Sequence, residues 1–133
     1  MTIFFLKKSD TGSFVIYDGM QIAIKSGDKK YTIMGLTGMI GIKKGCLGKK
    51  KEIEEEIINS ININNKWDDE PVAHPDDKSG KSLVYTSFLD TYGSHKANIK
   101  IACFNWTKES GFVPHLRIGI LTEEYSNWLD TVR

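Results

Sequence analysis

Lysine, arginine and aromatic side chains that alternate along a strand can grip a polyanion and stack on its bases, and this chain has such a stretch. In "NIKIACFNW", residues 98–106, alternate side chains share a face when the segment is extended. Ile99, Ile101 and Cys103 then point one way, and Asn98, Lys100, Ala102, Phe104 and Trp106 point the other. In the following "HLRIGIL", His115 and Arg117 fall on one face, opposite Leu116 and Ile118. Rings beside fixed positive charges are what sequence-tolerant binding of single strands uses. The competing expectation is that Phe104 and Trp106 cover a second core layer. A further basic group, Lys43, Lys44, Lys49, Lys50 and Lys51, lies in "GIKKGCLGKKKEIEEEI". It could contact phosphates at the rim of such a face, with Gly45 and Gly48 allowing close main-chain approach. The alternative is a solvated helix shoulder, since Lys50 and Lys51 can pair with Glu54 and Glu55 one turn on.

Acidic residues mark a rival surface. Glu54, Glu55, Trp67, Asp68, Asp69, Glu70, Asp76 and Asp77 could present a negative face, anchored by an aromatic ring, to a basic protein partner. A small cytoplasmic inhibitor would do this, such as a toxin-immunity protein or a phage protein neutralising a host defence nuclease. A third reading has exposed strand edges pairing copies of the chain into a homo-oligomer.

Catalytic constellations are not evident in the sequence. His74, His95 and His115 are far apart, and none has the i, i+4 or cysteine-pair spacing of a metal site. "HPDDKSGK" reads as a turn rich in Pro, Asp and Gly. The glycines of "GLTGMIGIKKGCLGKK" lack the spacing of a phosphate-binding loop. A non-enzyme without metal or cofactor is expected.

The elements that must position these residues fit one α+β domain spanning 1–133. Its 133 residues, 40% hydrophobic and 26% charged with net charge +1, describe an ordinary globular chain whose basic surface can only be local. No apolar run of membrane-spanning length occurs. Cys46 and Cys103, without a secretory signal, are expected as free thiols in the cytoplasm. Antiparallel meander sheets with two helices are expected, in the order ββββ(β)α–loop–βββ(β)α.

Residues 1–61 hold the first meander and helix. "TIFFLK" opens it, Asp18-Gly19 marks a tight hairpin between "SFVIY" and "MQIAIK", and "SGDK" turns the chain into "KYTIMG". A short strand through "MIGIKK" precedes a helix in which Ile53, Ile57, Ile58 and Ile61 form the apolar stripe. Residues 62–82, with Pro71 and Pro75, read as a polar loop. Residues 83–133 hold strands through "SLVYTSF", "ANIKIACFNW" and "FVPHLRIGIL", then a helix capped by Thr122. Glu123 and Glu124 fill its first turn, and Tyr125, Trp128, Leu129 and Val132 form its inner face.

"NIKIACFNW", the turn "TKESG" and "HLRIGILTEEYSNWL" together resemble the closing unit of the Whirly proteins and of the eukaryotic transcriptional positive coactivator. Those folds repeat a four-strand-plus-helix unit and bind single-stranded nucleic acid. "KKGCLG" is faintly similar to the lysine-glycine motif of Whirly proteins and departs from it at several positions. The resemblance implies a single-stranded DNA or RNA partner held on the sheet.

Overall fold

The computed structural model describes residues 1–7, 18–27, 29–92 and 97–132. Strands β1 (Thr2–Lys7), β2 (Gly19–Ile24) and β3 (Ile33–Gly41) form a meander, followed by helix α1 (Cys46–Ser60). The chain then adds β4 (Ile63–Asp68), β5 (Val72–Ala73), β6 (Leu83–Thr91), β7 (Ala97–Asn105), β8 (His115–Thr122) and helix α2 (Glu123–Thr131). All pairings are antiparallel, in one eight-stranded sheet ordered β1-β2-β3-β8-β7-β6-β4, with β5 also on β6. Among the described residues the architecture is α+β with two α-helices, as the sequence implies. The two meanders are fused through β3 and β8, which pair from Gly35↔Leu121 to Gly41↔His115.

Each helix covers one face. Leu116 and Leu121 lie five residues apart on β8 and so point to opposite sides. α1 packs on the Leu116 side, where Leu116 and Cys103 cluster with Cys46, and Ile53 and Ile57 meet Leu89, Ile99 and Ile101. α2 packs on the Leu121 side with Tyr125, Trp128 and Leu129 against Ala23 and Met34. Thr122 caps α2, its hydroxyl accepting from the Tyr125 N–H at 3.2 Å. Tyr125 comes so close that a Cβ at Gly35 would sit 2.8 Å from its ring. Only glycine lets the helix dock there. The ends of the stripe do not take part: Val132 follows the helix and is 59% exposed.

Several expectations change. Gly19 is a ladder residue of β2 opposite Lys7, so Asp18-Gly19 is not a two-residue hairpin turn; "SFVIY" lies outside the described residues. "KYTIMG" and "MIGIKK" contribute to one strand, β3, which runs through its glycines because both neighbours pair it. The 62–82 loop contains β4, which among the described residues is an edge strand paired with β6. In α1, Ile58 and Ile61 are exposed, and the buried stripe runs instead through Cys46, Lys50 and Glu54. Cys46 and Cys103 form a disulfide, with Cα atoms 5.8 Å apart, rather than free thiols. The start of α1 descends onto β7 at Cys103, near the strand's end, a meeting that a separation of 57 residues conceals. No helix among the described residues is long and apolar enough to cross a membrane.

Candidate functional site

On the face opposite α1, strand pairing lines side chains up in rows, because directly opposed residues point the same way. One row crosses six strands: Gln21, Thr37, Gly119, Lys100, Phe88 and Trp67. At the usual strand spacing it spans about 24 Å. The next row carries Arg117 beside Ala102, and the one beyond carries His115 beside Phe104.

The rings and cations of these rows touch. Phe104 stacks on His115 with centroids 4.6 Å apart and planes 5° apart, and the Arg117 guanidinium lies 4.5 Å from the Phe104 centroid. Arg117 Nε donates to His115 Nε2 at 3.1 Å. Lys100 Nζ stands 6.0 Å from the centre of Phe88, which stacks on Trp67 at 5.1 Å. Such contacts fix the cations over a partly apolar floor, where a cation and a ring attract each other. His115 has its pKa lowered, first by burial and then by the charges of Arg117 and His74, against the pull of the Val113 carbonyl.

Between these residues and α2 the face sinks into a depression of about 260 Å³. Its centre is low because Gly119 and Ala102 are small. Gln21, Thr37, Lys100, Phe104 and Arg117 surround it, and Tyr125 and Leu129 of α2 close the far side.

The structure therefore brings Lys100, Phe104 and Arg117 together, joined by His115. Trp106 departs from expectation. It is only 9% exposed and packs between His74, at 4.4 Å, and Phe112, at 4.5 Å. It buttresses the end of the sheet rather than offering an open ring.

The lysine group splits. Lys43 and Lys44 are exposed in the β3–α1 connection, which leaves the sheet beside His115 through Gly41 and an Ile42 N–H to Pro114 carbonyl bond of 2.8 Å. The connection carries them toward the α1 side, where Ile42 before them and Cys46 after them join the Leu116 cluster. Lys49 and Lys51 are exposed on α1, beyond the opposite face, and Lys49 pairs with Glu52 at 3.4 Å. Lys50 is buried, 2.6 Å from Glu54 and donating also to Ser87, so it is no phosphate contact.

The acidic group also disperses. Glu54 is 5% exposed and held by Lys50 and Lys66. Burial alone would raise its pKa, but the hydrogen bond from Lys50, the nearby Ser87 hydroxyl and the charges of Lys50 and Lys66 leave it lowered. Asp68 accepts from Ser87, which lowers its pKa in turn. Asp77 organises the turn after β5, accepting from the Ser79 N–H at 3.0 Å, from Ser82 and from Thr107, which lowers its pKa to about 2. Trp67 belongs to the Lys100 face. Glu55, Asp69, Glu70 and Asp76 remain exposed. Among the described residues no cluster of three or more His, Cys, Asp or Glu could hold a metal ion.

Sequence reading missed Gln21, Thr37 and Phe88 as members of this face. Phe88 was legible, since it alternates with Val84 and Thr86 in "VYTSF". Gln21 and Thr37 enter only through the β3–β8 pairing, which joins distant parts of the chain. No protein-family model matches the chain, and no curated protein and no solved structure matches it either.

Proposed function

We propose that this protein binds single-stranded nucleic acid, without catalysis, on the sheet face left open beside α2. The observation that carries the reading is the contiguous set Phe104, His115, Arg117, Lys100 and Phe88, in which each cation lies against a ring. Flat apolar surface interleaved with fixed positive charge suits bases and phosphates together. Lys43 and Lys44 are exposed in the connection that follows Gly41, the partner of His115, and add positive charge at that end of the sheet. The Whirly-like pattern of elements agrees with this use of the sheet. The cytoplasmic expectation is not part of the proposal, because structural disulfides persist mainly in oxidising compartments.

Binding to a protein partner through the acidic residues draws less support. Glu54 is buried and paired, and Asp68 and Asp77 are committed to internal hydrogen bonds.

The test is fluorescence anisotropy of a labelled single-stranded oligonucleotide of about 30 bases, titrated at low and moderate salt. Binding that weakens steeply with salt and disfavours duplex is expected. Absence of binding at the highest attainable protein concentration would remove the proposal.

A further inference from the structure

On the face that carries α1, one row of side chains crosses the sheet and is apolar throughout: Phe4, Ile22, Leu36, Ile120, Ile99 and Leu89. Its exposure changes beside the helix. Ile99 and Leu89, packed with α1, are 3% and 0% exposed, whereas Phe4 and Ile120 are 50% and 51% exposed. The neighbouring rows continue the pattern, with Met20 and Ile118 flanking Gly38, and Ile40 beside Leu116. Among the described residues no helix packs over the β1-β2-β3 half of this face, because α1 lies on β7 and β8 and α2 on the other side of the sheet. No charged side chain described on these strands points to it. Gln21, Thr37 and Arg117 alternate onto the opposite face. A sheet face turned to water normally carries polar residues, and this one keeps the composition of a core.

We propose that this half of the face packs against the same face of a second copy, as a twofold dimer of sheets. A twofold contact lays one patch on itself, so the patch must be self-complementary. A flat, uncharged, apolar surface meets that condition, whereas a charged one would oppose its copy. The height fits too. α1 is about 10 Å thick, and packed sheets lie about 10 Å apart, so the copy's sheet fills the step beside the helix. Four strands wide and three rows long, the patch covers about 400 Å² per copy at ordinary strand spacings. That is roughly half of what each partner buries in a standard stable interface. The dimer is therefore reversible and forms as concentration rises. It leaves the face carrying Arg117 and Lys100 turned outward in both copies, and it does not depend on the nucleic-acid reading.

The test is sedimentation equilibrium of the full chain from low micromolar to near-millimolar concentration. The protein should pass from monomer to dimer over that range. Ile120→Lys sets two like charges into the contact and should raise the dissociation constant about tenfold or more, while circular dichroism shows a folded chain. Ile120→Thr keeps the β-branched shape and should weaken the dimer in the same direction, which decides the matter if the lysine variant does not fold. Val113→Lys, also well exposed but outside these rows, should leave the dimer unchanged. β8 is not a sheet edge, so pairing of strand edges would not respond to Ile120. A dimer that persists in the Ile120 variants uses another surface and overturns the proposal. A monomer at every concentration overturns it as well, and a sharp fall in its melting temperature on Ile120→Thr would place a segment of the same chain over the face.

Discussion

Phe104 and His115 face each other directly across β7 and β8, and their rings stack 4.6 Å apart. The contact depends on the protonation of His115. Its Nε2 accepts from Arg117 Nε at 3.1 Å, and its Nδ1 lies 3.1 Å from the Val113 carbonyl oxygen. Only the neutral ring with its proton on Nδ1 satisfies both bonds. A protonated ring would turn an N–H toward the donor of Arg117.

The pH dependence follows from the lowered pKa of His115, caused by burial first and then by the charges of Arg117 and His74. Below the unfolded histidine value of about 6.5, the unfolded chain takes up a proton that the folded chain resists. The stability linked to this ring is therefore complete above that pH and drains away as pH falls toward the lowered folded value. The melting temperature should fall on acidification from neutral pH. His115→Phe, which keeps a ring on Phe104 but cannot titrate, should flatten that fall over the same window. An unchanged profile in the variant would show that another group controls it.

Lys50 and Glu54 form the polar heart of the α1 side, at 9% and 5% exposure. Removing one charge leaves the other buried and uncompensated, which is the costly way to break such a pair. Lys50→Met should lower the unfolding free energy by about 3 kcal/mol in urea titrations, near the lower end for buried pairs because Lys66 still reaches Glu54. The double variant Lys50→Met, Glu54→Leu should recover most of the loss. No recovery would mean that the pair contributes more than its own neutralisation. Ser87, 0% exposed, and Asp68 complete the same network, so Ser87→Ala should also destabilise.

The Cys46–Cys103 bond joins the first residue of α1 to β7 across 57 residues of sequence. Closing a loop of that length removes enough denatured-chain entropy to stabilise by about 4 kcal/mol in the chain-entropy account. Cys46→Ala with Cys103→Ala should lose an amount of that order, read from the urea midpoint. The unreduced protein, unfolded in denaturant, should titrate no free thiols. Two titrated thiols would mean that the bond does not form in solution.

How far the sequence discloses the molecule depends on whether a signal is local. The period-two pattern of Ile99, Ile101 and Cys103 placed β7 correctly, and Thr122 with Glu123 and Glu124 placed the start of α2, because caps and alternation act over a few residues. β4 was invisible. "INNKWD" has almost no apolar alternation, since it is an exposed edge strand held mostly by backbone bonds to β6. The stripe of α1 misled for the opposite reason. Lys50 and Glu54 are buried as a pair, and polar residues at core positions do not announce themselves. Phe104 and Arg117 could be placed on faces by parity, but their meeting required β7 and β8 to pair in this register. The separation of Lys51 from Lys100 to opposite sides of the sheet required knowing where α1 docks.

That separation supplies the sharpest test of which surface binds. Lys100 and Arg117 project from the open face, whereas Lys49 and Lys51 lie on α1 beyond the other. Lys100→Ala and Arg117→Ala should each weaken oligonucleotide binding and reduce the slope of log affinity against log salt by about one. Arg117→Ala should weaken it more, because it also frees the Phe104 ring of its cation. Lys49→Ala and Lys51→Ala should leave both affinity and slope unchanged. The reverse pattern would move the binding surface onto α1, where the exposed glutamates Glu52, Glu55 and Glu56 stand among the lysines and oppose a polyanion. That opposition is the electrostatic reason to expect the strand on the sheet face, where Arg117 and Lys100 lie against aromatic rings.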